Sequence, residues 1–153
     1  GQTSVPAGYA WASISAGGFH SCGTTTSGVG LCWGSSGNGR TSVPAGYAWA
    51  SISAGGGHSC GTTTSGVGLC WGSSNYGQTS VPSGYAWASI SAGSSHSCGT
   101  TTSGVGLCWG SSGSGQTSVP AGYAWASISA GLYHSCGTTT SGVGLCWGSS
   151  TWS

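Results

Sequence analysis

Four histidines each stand two residues before a cysteine, at His20/Cys22, His58/Cys60, His96/Cys98 and His134/Cys136. Residues i and i+2 share a strand face, so each pair could begin a His/Cys metal site. The close cysteine pairs usual in zinc sites are absent. The eight cysteines fall instead as one widely spaced pair per segment, Cys22/Cys32, Cys60/Cys70, Cys98/Cys108 and Cys136/Cys146. Such regular, even usage reads as a disulfide framework made in an oxidising compartment. No metal is assigned, and each His ring is expected to hydrogen-bond a neighbouring turn. Serines are plentiful beside these histidines, but the chain contains no Asp or Glu. Without a carboxylate to orient a His or to move protons, nothing singles out a nucleophile. The expectation is a non-enzymatic protein with no cofactor.

Other chemistries fall away in the same manner. Arg40 is the one Lys or Arg in 153 residues, so the basic footprint that neutralises phosphates is missing and nucleic acid is not expected as a partner. A net charge of +1 gives little self-repulsion, which favours self-association. No stretch approaches the roughly 18 apolar residues of a membrane span, so membrane insertion is not expected, and no signal peptide is present. With the cysteine usage, this points to a mature secreted, extracellular chain. Neither Asn38 nor Asn75 begins an N-glycosylation sequon. The threonine rows, such as Thr24-Thr25-Thr26, are ordinary strand residues.

The elements that hold these residues come from one 38-residue unit written four times, over 1–38, 39–76, 77–114 and 115–152. A unit this short cannot bury an apolar face alone, so stacked neighbours share a core within a single array. Nine Trp and six Tyr supply burial that a disordered Gly/Ser tract lacks. The alternation in Ala10–Ala16 predicts a strand. His20–Thr25 and Val29–Trp33 predict a hairpin joined by Thr26-Ser27-Gly28. Centring that turn on Ser27 sets Cys22 opposite Cys32, within disulfide reach. Gly39–Val43 predicts a shorter outer strand stopped by Pro44-Ala45-Gly46. Four antiparallel strands per unit give an all-β fold, a β-propeller of four-stranded blades, with a solenoid as competitor. Trp11, Trp33 and their equivalents are expected to wedge between blades.

The run Ile14-Ser15-Ala16-Gly17-x-x-His20-Ser21-Cys22, then Ser27-Gly28-Val29-x-Leu31-Cys32-Trp33-Gly34-Ser35 and Gly39-Arg40, resembles the repeat of the regulator-of-chromosome-condensation family. The resemblance covers all four units and is closest to compact, disulfide-bearing bacterial versions. It implies propeller blades and a protein-recognition platform, in a family typically seven-bladed. Ser27 stands where the family usually has an acidic turn residue, and Gly30 where a bulkier one is common. The nucleotide-exchange activity of one nuclear branch uses acidic surface residues, which this chain does not have, so that activity is not carried over.

Four units are fewer than the usual ring, and Gly1–Val5 could complete the last blade in correct phase. That closure could occur within one chain, between two chains making an eight-bladed ring, or head to tail in an extracellular filament. The two-chain ring, a dimer, is favoured. The copies differ at two offsets, Gly18-Phe19, Gly56-Gly57, Ser94-Ser95 and Leu132-Tyr133, then Gly37-Asn38, Asn75-Tyr76, Gly113-Ser114 and Thr151-Trp152, besides Arg40 for Gln and Ser83 for Ala. Strand parity puts both offsets on one rim. Substitutions among Gly, Ser, Asn and large aromatics resemble the composition of paratopes. The candidate ligand-binding residues are therefore Phe19, Asn38, Arg40, Asn75, Tyr76, Ser94, Ser95, Ser114, Leu132, Tyr133 and Trp152, and the expected ligand is a protein or a glycan.

Overall fold

The computed structural model describes residues 1–151 and is built of four three-stranded antiparallel sheets. The first blade comprises β1 (Trp11–Ala16), β2 (His20–Thr25) and β3 (Gly30–Gly34). The second holds β4 (Trp49–Ala54), β5 (His58–Thr63) and β6 (Gly68–Gly72), and the third β7 (Trp87–Ala92), β8 (His96–Thr101) and β9 (Gly106–Gly110). The fourth holds β10 (Trp125–Ala130), β11 (His134–Thr139) and β12 (Gly144–Gly148). The hairpin lies in the expected register, with His20 opposite Gly34 and Cys22 opposite Cys32. Thr25 builds its turn: the Gly28 N–H donates to the Thr25 carbonyl (3.0 Å) and the Val29 N–H to Thr25 Oγ1 (3.0 Å).

All four expected cysteine pairs are disulfides, one across each hairpin. They are Cys22–Cys32, Cys60–Cys70, Cys98–Cys108 and Cys136–Cys146, each with Cα atoms 4.0 Å apart. The two ends of a bridge differ in burial. Cys22, Cys60 and Cys98 on the central strands are fully buried, whereas Cys32, Cys70 and Cys108 on the third strands are half-buried, and Cys146 in the last blade is exposed. Each bridge staples strands whose glycines contribute little side-chain packing of their own.

The fourth strand expected at Gly39–Val43 is not formed. Gly39 adopts φ +75°, a left-handed conformation incompatible with a continuing strand. The N–H groups of Arg40, Ser42 and Val43 donate locally, to the carbonyls of Gly37, Gly39 and Thr41. These turns take up the donors that a ladder would need, and Pro44 has none to offer. The segment docks through one carbonyl instead. Arg40 O accepts from the Ser59 hydroxyl (2.7 Å) and from Trp71 Nε1–H (3.0 Å), so each blade is edged by an arm held through side chains.

The same contact corrects the expected closure. The Gln2 carbonyl accepts from Ser21 (2.8 Å) and Trp33 (3.0 Å), so the Gly1–Val5 arm lies on the first blade and is not free to complete the fourth.

The cores sit between blades, as expected for the tryptophans. Trp49, Ile52 and Ala54 of β4 pack onto Cys22 and Cys32 of the preceding hairpin, with Trp71, Leu69 and Val43 around them. The arrangement repeats at the next two junctions, around Cys60 and Cys70 and then around Cys98 and Cys108. Burying an Ile of this kind contributes roughly 1.5–3 kcal/mol. Gly30 permits the approach, because a Cβ there would lie 2.6 Å from both Trp49 Cδ1 and Ile52 Cδ1. Each blade thus inserts its first strand into a groove on the blade before it. Two such faces are left over: Ile14 is 49% exposed where Ile52, Ile90 and Ile128 are 5%, and β12 is largely uncovered. The four blades form an open arc, which corrects the single-chain ring.

Candidate functional site: the variable rim

Antiparallel pairing carries the end of β1, the start of β2 and the end of β3 to the same edge of each blade, so both variable offsets lie on one rim. The scaffold beneath is repeated from blade to blade. The Ser35 N–H donates to the Phe19 carbonyl (3.0 Å), stitching the first loop to the second, and Ser73, Ser111 and Ser149 repeat the bond to Gly57, Ser95 and Tyr133. Adjacent first loops are joined as well, with Gly18 N–H donating to Gly55 O, Gly56 to Gly93 O and Ser94 to Gly131 O, at 3.0–3.1 Å.

On this frame Phe19 (60% exposed), Tyr76 (61%), Leu132 (63%) and Tyr133 (46%) stand out from the surface. Asn38, Asn75 and Ser114 are exposed beside them, and Ser94 and Ser95 are half-buried. Trp152 lies outside the described residues. Arg40 also lies at this rim, with its side chain turned onto its neighbours. Its Nε–H donates to Gly37 O (2.8 Å), its Nη1 to Gly56 O (3.5 Å), and its guanidinium lies 5.8 Å from the Phe19 ring centroid. The charge is engaged in shaping the rim and in a cation–π contact.

Two buried residues govern the second loop and escaped the reading of the sequence. Gln78 and Gln116 are 2% exposed, and their Oε1 atoms accept from the N–H groups of Tyr76 and Ser114 (both 2.9 Å). Arg40 occupies the equivalent position and cannot accept. There the loop becomes a short 3-10 turn over Gly37–Gly39, in which Asn38 adopts φ +58°. The Arg-for-Gln exchange was visible in the sequence, but its effect depends on a hydrogen-bond direction that no spacing reveals.

The chemistry repeated between blades resembles a catalytic dyad and is not one. His20 Nε2 lies 2.7 Å from Ser59 Oγ, and His58–Ser97 and His96–Ser135 repeat this at 2.8 and 2.9 Å. Each serine already donates its proton to a backbone carbonyl, of Arg40, Gln78 and Gln116. The serine oxygen is therefore the acceptor, the imidazole carries its proton on Nε2, and no base faces the hydroxyl. Burial holds these three histidines neutral by lowering their pKa to about 4, with Arg40 adding to the effect at His20. Their Nδ1 atoms are buried without a partner. The cysteine beside each His is oxidised, Cys60 with Cys70 and Cys98 with Cys108 as in the outer blades, so no thiolate remains to join a His on a metal.

Disulfide-stapled blades joined face to face in this way have the β-propeller fold of the RCC1 type, the fold implied by the Ala-Gly-x-x-His and Trp-Gly motifs. Among solved structures, the chain is similar to the ectodomain of the receptor kinase CR4 from Physcomitrella patens (36% identity over 91% of this chain and 39% of that one, TM-score 0.76). It is also similar to the CRINKLY WD40 ectodomain of the Arabidopsis thaliana receptor kinase ACR4 (27% identity, 90% and 49%, TM-score 0.72). Prp20p from Saccharomyces cerevisiae, the yeast RCC1, shares the fold at 16% identity (95% and 47%, TM-score 0.80). The chain spans less than half the length of each of these solved chains. No family model and no curated protein matches the sequence.

Proposed function

We propose that this chain is an extracellular, non-enzymatic recognition module that binds a protein ligand through its variable rim. The observation that carries the reading is the projection of Phe19, Tyr76, Leu132 and Tyr133, each more than 45% exposed, from loops whose backbone frame repeats between blades. Large side chains exposed on a rigid frame give contact area at low entropic cost, while Asn38, Asn75, Ser94, Ser95 and Ser114 add adaptable polar contacts. Placement outside the cell is supported by the four disulfides and by the likeness to receptor ectodomains. A protein ligand is preferred to a glycan because solved proteins of this fold bind proteins: yeast RCC1 is seen with Kap60, and Prp20p has binding properties toward Gsp1p and histones.

The test is a parallel screen of a displayed extracellular-protein library and a glycan array. The wild-type chain is compared with a variant carrying Phe19, Tyr76, Leu132 and Tyr133 all changed to Ser. The expected result is a protein ligand retained by the wild type and lost by the variant, with no fall in Tm. Equal binding by the two forms would overturn the rim, and hits confined to the glycan array would overturn the choice of ligand class.

A further inference from the structure

We infer that the protein ligand of the rim is acidic and that Arg40 holds one of its carboxylates beside the Phe19 ring, which rests on the rim being the binding surface. Arg40 lies where the first two blades meet, against Phe19 of one and Gly56 of the other. Its guanidinium is the one side-chain charge at pH 7 in a sequence with no Asp or Glu, so no side-chain carboxylate of these blades can pair with it. Three contacts hold it in place. Its Nε–H donates to Gly37 O (2.8 Å), its Nη1 to Gly56 O (3.5 Å), and its Cζ lies 5.8 Å from the Phe19 ring centroid. Nη2 is left without a hydrogen-bond partner among the described residues. It occupies the space that a side chain at Gly37 would take, since a Cβ there would lie 2.6 Å from it.

The frame of the blade does not need an arginine here. The Arg40 carbonyl receives Ser59 and Trp71 just as the Gln78 carbonyl receives Ser97 and Trp109, whatever the side chain. The exchange in fact costs the loop a bond. Gln78 and Gln116 each accept from a loop N–H (both 2.9 Å), which Arg40 cannot do, and Asn38 is left at φ +58°. What the loop gains is a cation without a counter-ion, already oriented by two carbonyls and an aromatic ring. A guanidinium held in this way has free N–H groups on both terminal nitrogens, and a carboxylate can meet them with little further loss of side-chain freedom. Asn38, exposed next to it, adds an amide donor. The Phe19 ring, 60% exposed, offers apolar contact to a side chain neighbouring the acid. A peptide supplies such a neighbour, so Asp or Glu of a protein is the source of the carboxylate.

The probe is an array of random-sequence peptides made in matched pairs, one member carrying Asp or Glu where its twin carries Asn or Gln, with a uronic-acid polysaccharide beside it. The wild type is compared with two variants, and circular dichroism verifies that both fold. Arg40→Met keeps the stem and removes the charge, whereas Gly37→Ala keeps the charge and displaces the guanidinium. The expected result is a set of acidic peptides that the wild type binds about tenfold or more tightly than their amide twins. That preference should weaken with added salt, be lost in Arg40→Met and be reduced in Gly37→Ala. No binding of acidic peptides, twins bound equally by the wild type, a preference retained by Arg40→Met, or binding confined to the polysaccharide would each overturn the inference. Its failure is distinct from that of the rim. Peptides bound by the wild type without regard to charge, and lost when Phe19, Tyr76, Leu132 and Tyr133 are all changed to Ser, would keep the rim and remove the acidic ligand.

Discussion

At the residue scale, Ser59, Ser97 and Ser135 are each a junction of three parts of the fold. Ser59 accepts a hydrogen bond from His20 of the preceding blade and donates one to Arg40 O of the arm, and Ser97 and Ser135 do the same in their blades. With the metal site set aside, the expectation was a His ring bonded to a neighbouring turn. The acceptor is in fact 39 residues away, one unit further along, where no local pattern could show it. The chemistry has a consequence for pH. His20, His58 and His96 have folded pKa values of about 4 against 6.5 for the free side chain. Above about pH 6.5 neither state is protonated, and stability is flat. Between about 6.5 and 4 the unfolded chain takes up protons that the folded one refuses, so stability falls as the pH falls. With no Asp or Glu to contribute, the urea midpoint should drop between pH 7 and pH 4.5, and a midpoint unchanged over that range would remove the buried neutral histidines from the account.

At the element scale, the strands that sequence revealed are those whose alternation is enforced by burial. The hairpin register followed from the turn alone, and the disulfide pairing, Cys60 with Cys70 and Cys98 with Cys108 as much as Cys22 with Cys32, followed from the register. The outer arm misled because Thr-Ser-Val has strand-like composition, whereas its backbone donors are committed to turns around Gly39. Gly30 was noted only as a departure from the family pattern. Its reason, the indole and isoleucine of the next blade against its Cα, needed the packed structure. The row of equivalent glycines gives a test with a built-in control. Gly68→Val drives a side chain into Trp87 and Ile90 and should cost about 1–3 kcal/mol, whereas Gly144→Val, where a side chain meets nothing, should leave Tm nearly unchanged. Equal losses at the two positions would show that the cost arises within the strand and not at the junction.

At the scale of the whole molecule, the arc behaves as a short one-dimensional array, in which each inner blade is held on both faces and each outer blade on one. Amide exchange should be slowest in β4–β9 and faster in β1 and β12, and uniform protection would mean a fold more cooperative than nearest-neighbour packing allows. The rim was legible because comparing the four copies separates what the fold requires from what it tolerates. The open ends were not, since a sequence in correct phase looks ready to continue whether or not its first residues are already in use. The interchangeable junction also bears on how such a chain changes over time. Because every blade presents the same socket and the same plug, excising or duplicating 38 residues anywhere in the array rejoins two surfaces that already fit. A cut that is not a whole multiple of 38 residues leaves a partial blade. Such a chain can therefore be edited by recombination in whole units, and it gains or loses pieces of its outward-facing loops without renegotiating the frame that carries them.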